Sequence, residues 1–516
     1  MAADWLRAPQ EDGAIIARPG LGEVGALLAE NRRRLAVPSR LILGRRLADL
    51  QQQARQEVIA AANQYLRDCG EPTLLSPSGG LIVAGHQPEL FHPGVWVKNF
   101  ALNGLARRHG LTSLHLVVDN DTVNSTALRI PQRNDAVHLG SVAFDRQVSE
   151  LPYEEQKVHD EELFATFPDR AGPLLQPWGY PPLLPSFWKE VVKQRERTPF
   201  LGERFVAARR SVERLWGCHN LELPASRLSE TATFADFAHH ILLNLPRFHA
   251  VYNSALADYR RQHGIRSRNH PVPELTRNGE WWETPFWGWE ASWEKSENRR
   301  GRLFARVEDG TIGFQANGQT WPADTWRALR SLGFKIRPRA LTLTLFARLF
   351  LADLFIHGIG GGKYDLLTDE IIRRFYGLEP PGFLVLSATL HLPLPTYPAT
   401  VSDRRRLAHE LRDLRWNPQR HLDYPALRPL IEEKQRWIDL PTANAPERRQ
   451  RFEQIRRLSE QLQDRVAGRA DEVRTQLERC DRELAANAVL RRRDYAFCLY
   501  PEEKLRVFMA QFLAPG

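Results

Sequence analysis

Apolar and polar positions follow two different periods along this chain. Leu41 to Leu66 repeats apolar residues at helical spacing on a Gln/Arg/Ala background, and Pro72, Pro77, Gly79 and Gly80 end that pattern. Leu81-Ile82-Val83-Ala84 is a short apolar run that predicts a buried strand. A loop over Gly85 to Gly94 follows, then helical spacing from Val95 to His109 through Trp96, Phe100, Leu102 and Leu105, with Gly110 as the stop. Leu114 to Val118 predicts a second buried strand. Strand, helix and strand at this spacing form a βαβ unit with parallel, adjacent strands. After a long middle region, Leu341 to about His357 reads as a helix. A Gly-rich loop follows, then a helix from Asp365 to Tyr376 and a strand at Phe383 to Leu386.

The middle region is mixed. Pro173 to Pro185 is Pro-rich, and helical patterns lie near Glu203–Leu215 and Phe234–Gly264. Trp281, Trp282, Trp287, Trp289 and Trp293 crowd one stretch, as core packing or as a stacking surface for a sugar or base. Arg302 to Val307 and Thr311 to Ala316 predict a β-hairpin. Near the C-terminus, Phe452, Ile455, Leu458, Leu462, Val466, Val473, Leu477, Cys480 and Leu484 recur at intervals of three, four or seven. That is a coiled-coil seam of about five heptads. Shorter helices at 402–416 and 426–438 precede it. The expected fold is therefore α/β: a parallel-sheet core, a mixed α+β insertion and a C-terminal helical coiled-coil arm. The expected segments are a helical lead-in at 1–80, core halves at 81–144 and 336–401, the insertion at 145–335 and the arm with its tail at 402–516.

Composition narrows the function classes. The chain has 516 residues, 42% hydrophobic and 26% charged, which is ordinary for a globular protein and excludes a disordered or fibrous one. The net charge is +9, but the basic residues are interleaved with acids, which argues against a nucleic-acid footprint. Four scattered cysteines form no C-x-x-C pair, which excludes a zinc ribbon and suits a reducing compartment. The most apolar stretch, Leu341 to Ile356, is too short for a bilayer and carries Arg348 and Asp353. With no apolar segment near Met1, a cytoplasmic location is expected.

Candidate chemistry gathers where strands end. The first strand leads to Gly85-His86-Gln87-Pro88 and the second to Asp119-Asn120-Asp121. In open α/β sheets ligands bind beyond the carboxyl ends of strands, so His86 and Asp119 are expected to face one crevice. There the acids serve hydroxyl groups or a metal-bridged phosphate, and the amides of the following helix hold an anion. His357-Gly358-Ile359-Gly360-Gly361-Gly362-Lys363 is a second anion cradle or a tight turn; it is not a Walker A loop, because Tyr364 stands where Ser or Thr would be. Cys218-His219 is an isolated pair.

Four pieces of the chain, in order, resemble the family of bacillithiol-biosynthesis cysteine-adding enzymes (BshC). They are Gly85 to Phe91 with Pro93, Gly94 and Lys98; the strand ending in Asp119-Asn120-Asp121; Arg337-Pro338 followed by the Gly358–Gly362 segment and Leu386-Ser387-Ala388-Thr389-Leu390; and the coiled coil ending in Arg493 with Leu499-Tyr500-Pro501-Glu502 and Lys504-Leu505. The resemblance implies a Rossmann-like core for the α/β fold and a homodimer formed through the coiled coil. It also implies a ligase that joins cysteine to the amine of a glucosaminyl-malate conjugate. The chain departs from that family at His86, where Gln is usual, at Asn120, where a His stands between two acids, and at Gly361 and Lys363, where Pro and Glu are usual. On this reading His86, Asp119 and Asp121 are the catalytic candidates. Gly85, Gln87, His92, Lys98, Asn120, Gly358, Gly360, Gly361, Gly362, Lys363 and Ser387 are the candidates to bind substrate or nucleotide. No metal site is expected. ATP or another nucleotide is the cofactor such chemistry brings, and an amino-sugar or amino-acid substrate the partner. The alternative is a non-catalytic dimeric metabolite-binding or scaffold protein of the same fold.

Overall fold

The computed structural model describes residues 7–36, 41–42, 44–73, 80–147, 151–290, 300–308, 311–316, 319–322 and 334–513. Trp293, Pro77 and Gly79 lie outside them. In chain order the elements used below are β1 (Ile15–Arg18), α1 (Val24–Leu35), α2 (Leu47–Asp68), β2 (Leu81–His86), α3 (Pro93–Arg108), β3 (Thr112–Val117), α4 (Leu201–Leu215), β4 (Leu221–Pro224), α5 (Ala232–Leu243), α6 (Leu245–Gln262), β5 (Trp281–Glu290), β6 (Gly301–Glu308), β7 (Thr311–Ala316), β8 (Gln319–Pro322), β9 (Phe334–Pro338), α7 (Ala340–Phe346), β10 (Leu354–His357), α8 (Ile359–Ile371), β11 (Phe383–Ala388), α9 (Val401–Trp416), α10 (Arg428–Asp439), α11 (Ala445–Leu490) and α12 (Glu502–Ala510). The chain divides into two compact units. One comprises Met1–Ile130, Ser141–Leu392 and Arg493–Gly516; the other comprises Pro131–Gly140 and Pro393–Arg492.

The first unit is built on a six-stranded sheet of order β1-β11-β10-β2-β3-β4. Its five inner and right-hand strands run parallel, and β1 pairs antiparallel with β11, Ile15 opposite Ala388. β2 is apolar from Leu81 to Ala84 because both faces of a parallel sheet are covered by helices, and those four residues are fully buried. α3 starts where Pro93 supplies a first-turn residue with no amide and the His92 imidazole accepts from Gly94 N at 3.1 Å. It stops at Gly110, whose φ of 63° suits glycine. β2 and β3 are adjacent and parallel as the spacing predicts, Val83 opposite Leu114.

Three elements differ from the sequence reading. The Leu341–Ile356 run is α7, a π-helical turn through Leu351, and then the strand β10, rather than one helix. A buried helix and a buried strand are both apolar all round, so periodicity does not separate them. The Gly-rich segment is accordingly the first turn of α8 and not a helix-to-helix loop. Two sheet strands come from regions read otherwise: β1 from the helical lead-in, and β4 from within the insertion.

The insertion also carries a second sheet, antiparallel, of order β8-β7-β6-β5-β9. β6 and β7 form the expected hairpin, Ala305 opposite Phe314. β5 shifts register against β6 between Glu283 and Trp287, around Pro285, which has no amide to give.

In the second unit α11 is a single helix of 46 residues, about 69 Å at 1.5 Å per residue. Asn444 caps it, accepting from Glu447 N at 3.0 Å. Its seam residues Leu462, Val466, Val473 and Cys480 are buried with Leu407 and Leu414 of α9 and with Leu422. The chain's own shorter helices thus cover that part of the seam, and its burial needs no second copy. Phe452, at the start of the seam, is exposed. Among the described residues no helix is long and apolar enough to cross a membrane.

Candidate functional site

The connections of the central sheet decide where a ligand fits. From β2 the chain moves through α3 to β3 on one side, whereas from β10 it moves through α8 to β11 on the other. β2 and β10 are neighbours, with Phe355 opposite Val83. Their carboxyl ends, His86 and His357, therefore stand side by side while the following loops part in opposite directions. Such a switch point leaves a crevice. Here it holds a cavity of about 710 Å³.

Most of the residues singled out in the sequence reach this cavity: Gly85, His86, Gln87, His92, Lys98, Asn120, Asp121, Gly358, Gly360, Gly361 and Ser387. Gln87 Nε2 donates to Asp121 Oδ2 at 2.8 Å, and the Arg300 guanidinium pairs with Asp121 Oδ1 at 2.9 Å. Asn120 donates to Pro338 O at 2.7 Å, and its Oδ1 is buried with no partner. Ser387 donates to Gly94 O at 3.1 Å and accepts from Arg493 Nη2 at 3.1 Å. Lys98 is 4% exposed and donates to Gly85 O at 3.2 Å.

Burial sets the charge states. It pulls the Lys98 ammonium down to about 8 and the His92 imidazole down to about 4. Burial and the Lys98 charge hold His86 well below the usual histidine range. His357, also lowered by burial, donates from Nε2 to Asp365 Oδ2 at 2.7 Å, which leaves Nδ1 as its acceptor, and Arg348 pairs with the same carboxylate oxygen at 2.7 Å. The three imidazoles are neutral at pH 7 and serve as proton acceptors or hydrogen-bond partners.

Three expected site residues lie elsewhere. Asp119 does not share the crevice with His86. It accepts from Ser226 N at 2.9 Å and from the Ser226 hydroxyl, and it lines a separate cavity of about 320 Å³ with Glu154 and Arg337. Both residues lie in the turn beyond β3, where the Ser226 amide holds Asp119 in the second cavity while Asn120 and Asp121 line the crevice. Gly362 packs on β11, where a Cβ would come 2.5 Å from Val385 Cγ2. Lys363 is half-buried off the cavity wall. α8 turns about 100° per residue, which puts Gly360, Gly361 and Tyr364 on the crevice side and Gly362 and Lys363 off it.

Sequence reasoning missed other wall residues. Trp287 is the member of the Trp cluster that lines the cavity, between the guanidinium groups of Arg339 at 4.2 Å and Arg300 at 4.7 Å. Trp289 is buried and donates to Glu155 at 3.0 Å, and Trp282 stacks under Arg277 at 4.2 Å. Arg339 is also held by Glu283 at 2.7 Å. The cluster was a visible signal; Arg300 and Arg339 were lone residues that only the fold of the insertion brings here. His357 was visible only as part of a glycine motif. Cys218 is buried, with Sγ 3.4 Å from both Asn99 O and Asn220 Nδ2, and burial pushes its thiol up, which removes a Cys–His nucleophile. Among the described residues no group of three His, Cys, Asp or Glu side chains is placed to hold a metal ion. No protein-family model matches the chain, and no curated protein matches it.

Proposed function

We propose that this protein is a carbon–nitrogen ligase-like enzyme that joins an amino-acid carboxyl to the amine of a sugar conjugate in the crevice between β2 and β10. The observation that carries the reading is the switch-point cavity, walled by neutral imidazoles, one buried ammonium and one carboxylate already held by two partners. Amide formation needs an activated carboxyl, an amine that has lost its proton and stabilisation of the charge that develops on the carbonyl oxygen. A bound nucleotide would supply the activation. His86 and His357, uncharged at neutral pH, are the groups to take the amine proton. Lys98, whose ammonium donates to Gly85 O on β2, offsets developing negative charge. Asp121, fixed by Gln87 and Arg300, orients an acceptor hydroxyl or ammonium group. Asp119 and Lys363 take no part.

The test is turnover. Full-length protein with ATP, an amino acid and an amino-sugar conjugate should release phosphate or pyrophosphate and form an amide product detectable by mass spectrometry. His86→Ala and His357→Ala should each lower the rate by about 10²-fold or more. Binding of a conjugate with no turnover over this substrate set would favour the metabolite-binding alternative.

A further inference from the structure

On the reading that ligands enter the crevice between β2 and β10, we infer that the ligand carries a phosphate group and that this group sits between the Lys98 ammonium and the first turn of α8.

The charge balance of the site requires an anion. Lys98 is buried on the cavity wall, and among the described residues no carboxylate lies within ion-pair distance of it; its one hydrogen-bond partner is the neutral carbonyl of Gly85. A buried ammonium without a counter-ion is costly. Its neighbour makes the position worse rather than better. Lys98 Nζ lies 4.0 Å from where a Cβ on Gly358 would stand, and Gly358 is the residue that starts α8. The positive pole of a 13-residue helix therefore faces a positive side chain. Ammonium and helix terminus oppose one another when the site is empty of charge, and both are satisfied by one anion between them.

The local chain leaves room for it. The first intrahelical bond is Gly362 N to Gly358 O, so the amides of Ile359, Gly360 and Gly361 have no partner within the helix. Gly360 has nothing within 4 Å of a Cβ position, so the first turn is open there, while His357 Nδ1 stands 2.8 Å from the Cβ position of Gly361. A phosphate group, with several terminal oxygens in a tetrahedral array, takes an ammonium and two or more amides at once. A planar carboxylate satisfies fewer of them. Competing carboxylates are engaged elsewhere: Asp121 with Gln87 and Arg300, Asp365 with His357 and Arg348. Arg493, whose hydrogen-bond partners among the described residues are Ser387 Oγ and Ala388 O, adds a further cation to the wall. The phosphate belongs to a nucleotide or to a sugar phosphate; the chemistry at Lys98 is the same for both.

Calorimetric titration of the full-length protein tests this with five probes: inorganic phosphate, ADP, ATP, glucose 6-phosphate and, as the carboxylate control, malate. At least one phosphate probe should bind, and whether the nucleotides or the sugar phosphate bind tighter identifies the source. Lys98→Met should weaken that probe by at least about tenfold. Because a core substitution can unfold the protein, Gly360→Asp is the second variant. It adds a carboxylate where a helix N-terminus accepts one and where there is space, so its melting temperature should be kept while phosphate binding is lost. Equal affinities in all three proteins, binding of malate alone, or no phosphate probe binding at millimolar concentration each overturn the inference. Turnover with nucleotide affinity unchanged in Lys98→Met and Gly360→Asp removes the inference and leaves the ligase reading; phosphate binding that both variants weaken, without turnover, does the reverse.

Discussion

Asp119 shows how one side chain is decided by its surroundings rather than by its neighbours in sequence. Burial, and next the Glu154 carboxylate, hold its carboxyl up at about 7, against the pull of Ser226 and Arg337. A carboxyl raised on folding contributes its full stability below the unfolded value near 4, and that contribution is lost as pH rises through 7. Stability should therefore fall between pH 4 and above pH 7 by an amount on the order of 2–4 kcal/mol once solvent at the cavity mouth is allowed for. In Asp119→Asn, which keeps an acceptor for Ser226 N and a donor for its hydroxyl, that fall should largely disappear from urea midpoints measured across the range. Arg348 makes a second residue-scale case. It is 1% exposed and bridges Asp365, Asp369 and Pro381 O, and Asp365 in turn holds His357 at the crevice. Arg348→Met should cost about 3–5 kcal/mol, because it leaves buried carboxylate charge uncompensated. Chemical denaturation measures that loss. Nothing in sequence spacing distinguishes His357 or Asp119 by role; a distant partner assigns each one.

At the scale of elements, legibility followed what hides an apolar run. The β2–α3–β3 unit was readable because its strands are short apolar runs and Pro93 and Gly110 bracket the helix between them, although α3 itself is buried almost all round. β10 was not, since it continues the apolar run of α7 with no polar break beyond Asp353. With that strand unseen, a strand–glycine–helix connection read as a bare glycine loop. α11 was readable because a seam of about five heptads, Phe452 to Leu484, has one low-energy solution, and the helix of 46 residues extends it at both ends. What covers that seam was not readable, since a second copy and the chain's own α9 present equivalent apolar stripes. Leu462 and Val466 are 0% and 5% exposed within the single chain. Replacing both with Asp should cost on the order of 4 kcal/mol at each site and melt the helical unit in far-UV circular dichroism, whatever the oligomeric state of the wild type. Retained helicity together with a change in sedimentation alone would instead place that seam between two copies.

For the whole molecule, residues far apart in sequence complete the same sheet and its flanks. β1 forms one edge of the sheet, and the C-terminal Phe497 ring lies 4.3 Å from that of Trp96 in α3 and 5.1 Å from Phe187, while Tyr500 donates to Leu390 O at 2.8 Å. Phe497→Ala should therefore lose about 3–5 kcal/mol, seen as an early calorimetric transition of the first unit. The sequence by itself determined the α/β class, the βαβ unit, the long helix and the strand-end residues His86, Gln87, Asn120 and Asp121, because local periodicity and the rule that ligands sit at strand ends need only neighbouring residues. Tertiary structure decided the rest. It divided Asp119 from His86, took Gly362 and Lys363 off the crevice, and brought Arg300, Trp287 and Arg493 to its wall. Gly362 and Lys363 are placed by the turn of α8 against β11, a strand order that a bare glycine loop does not reveal. Asp119 and the wall residues are placed by packing between distant segments, Asp119 by Ser226 at 107 positions along the chain, which no local pattern encodes.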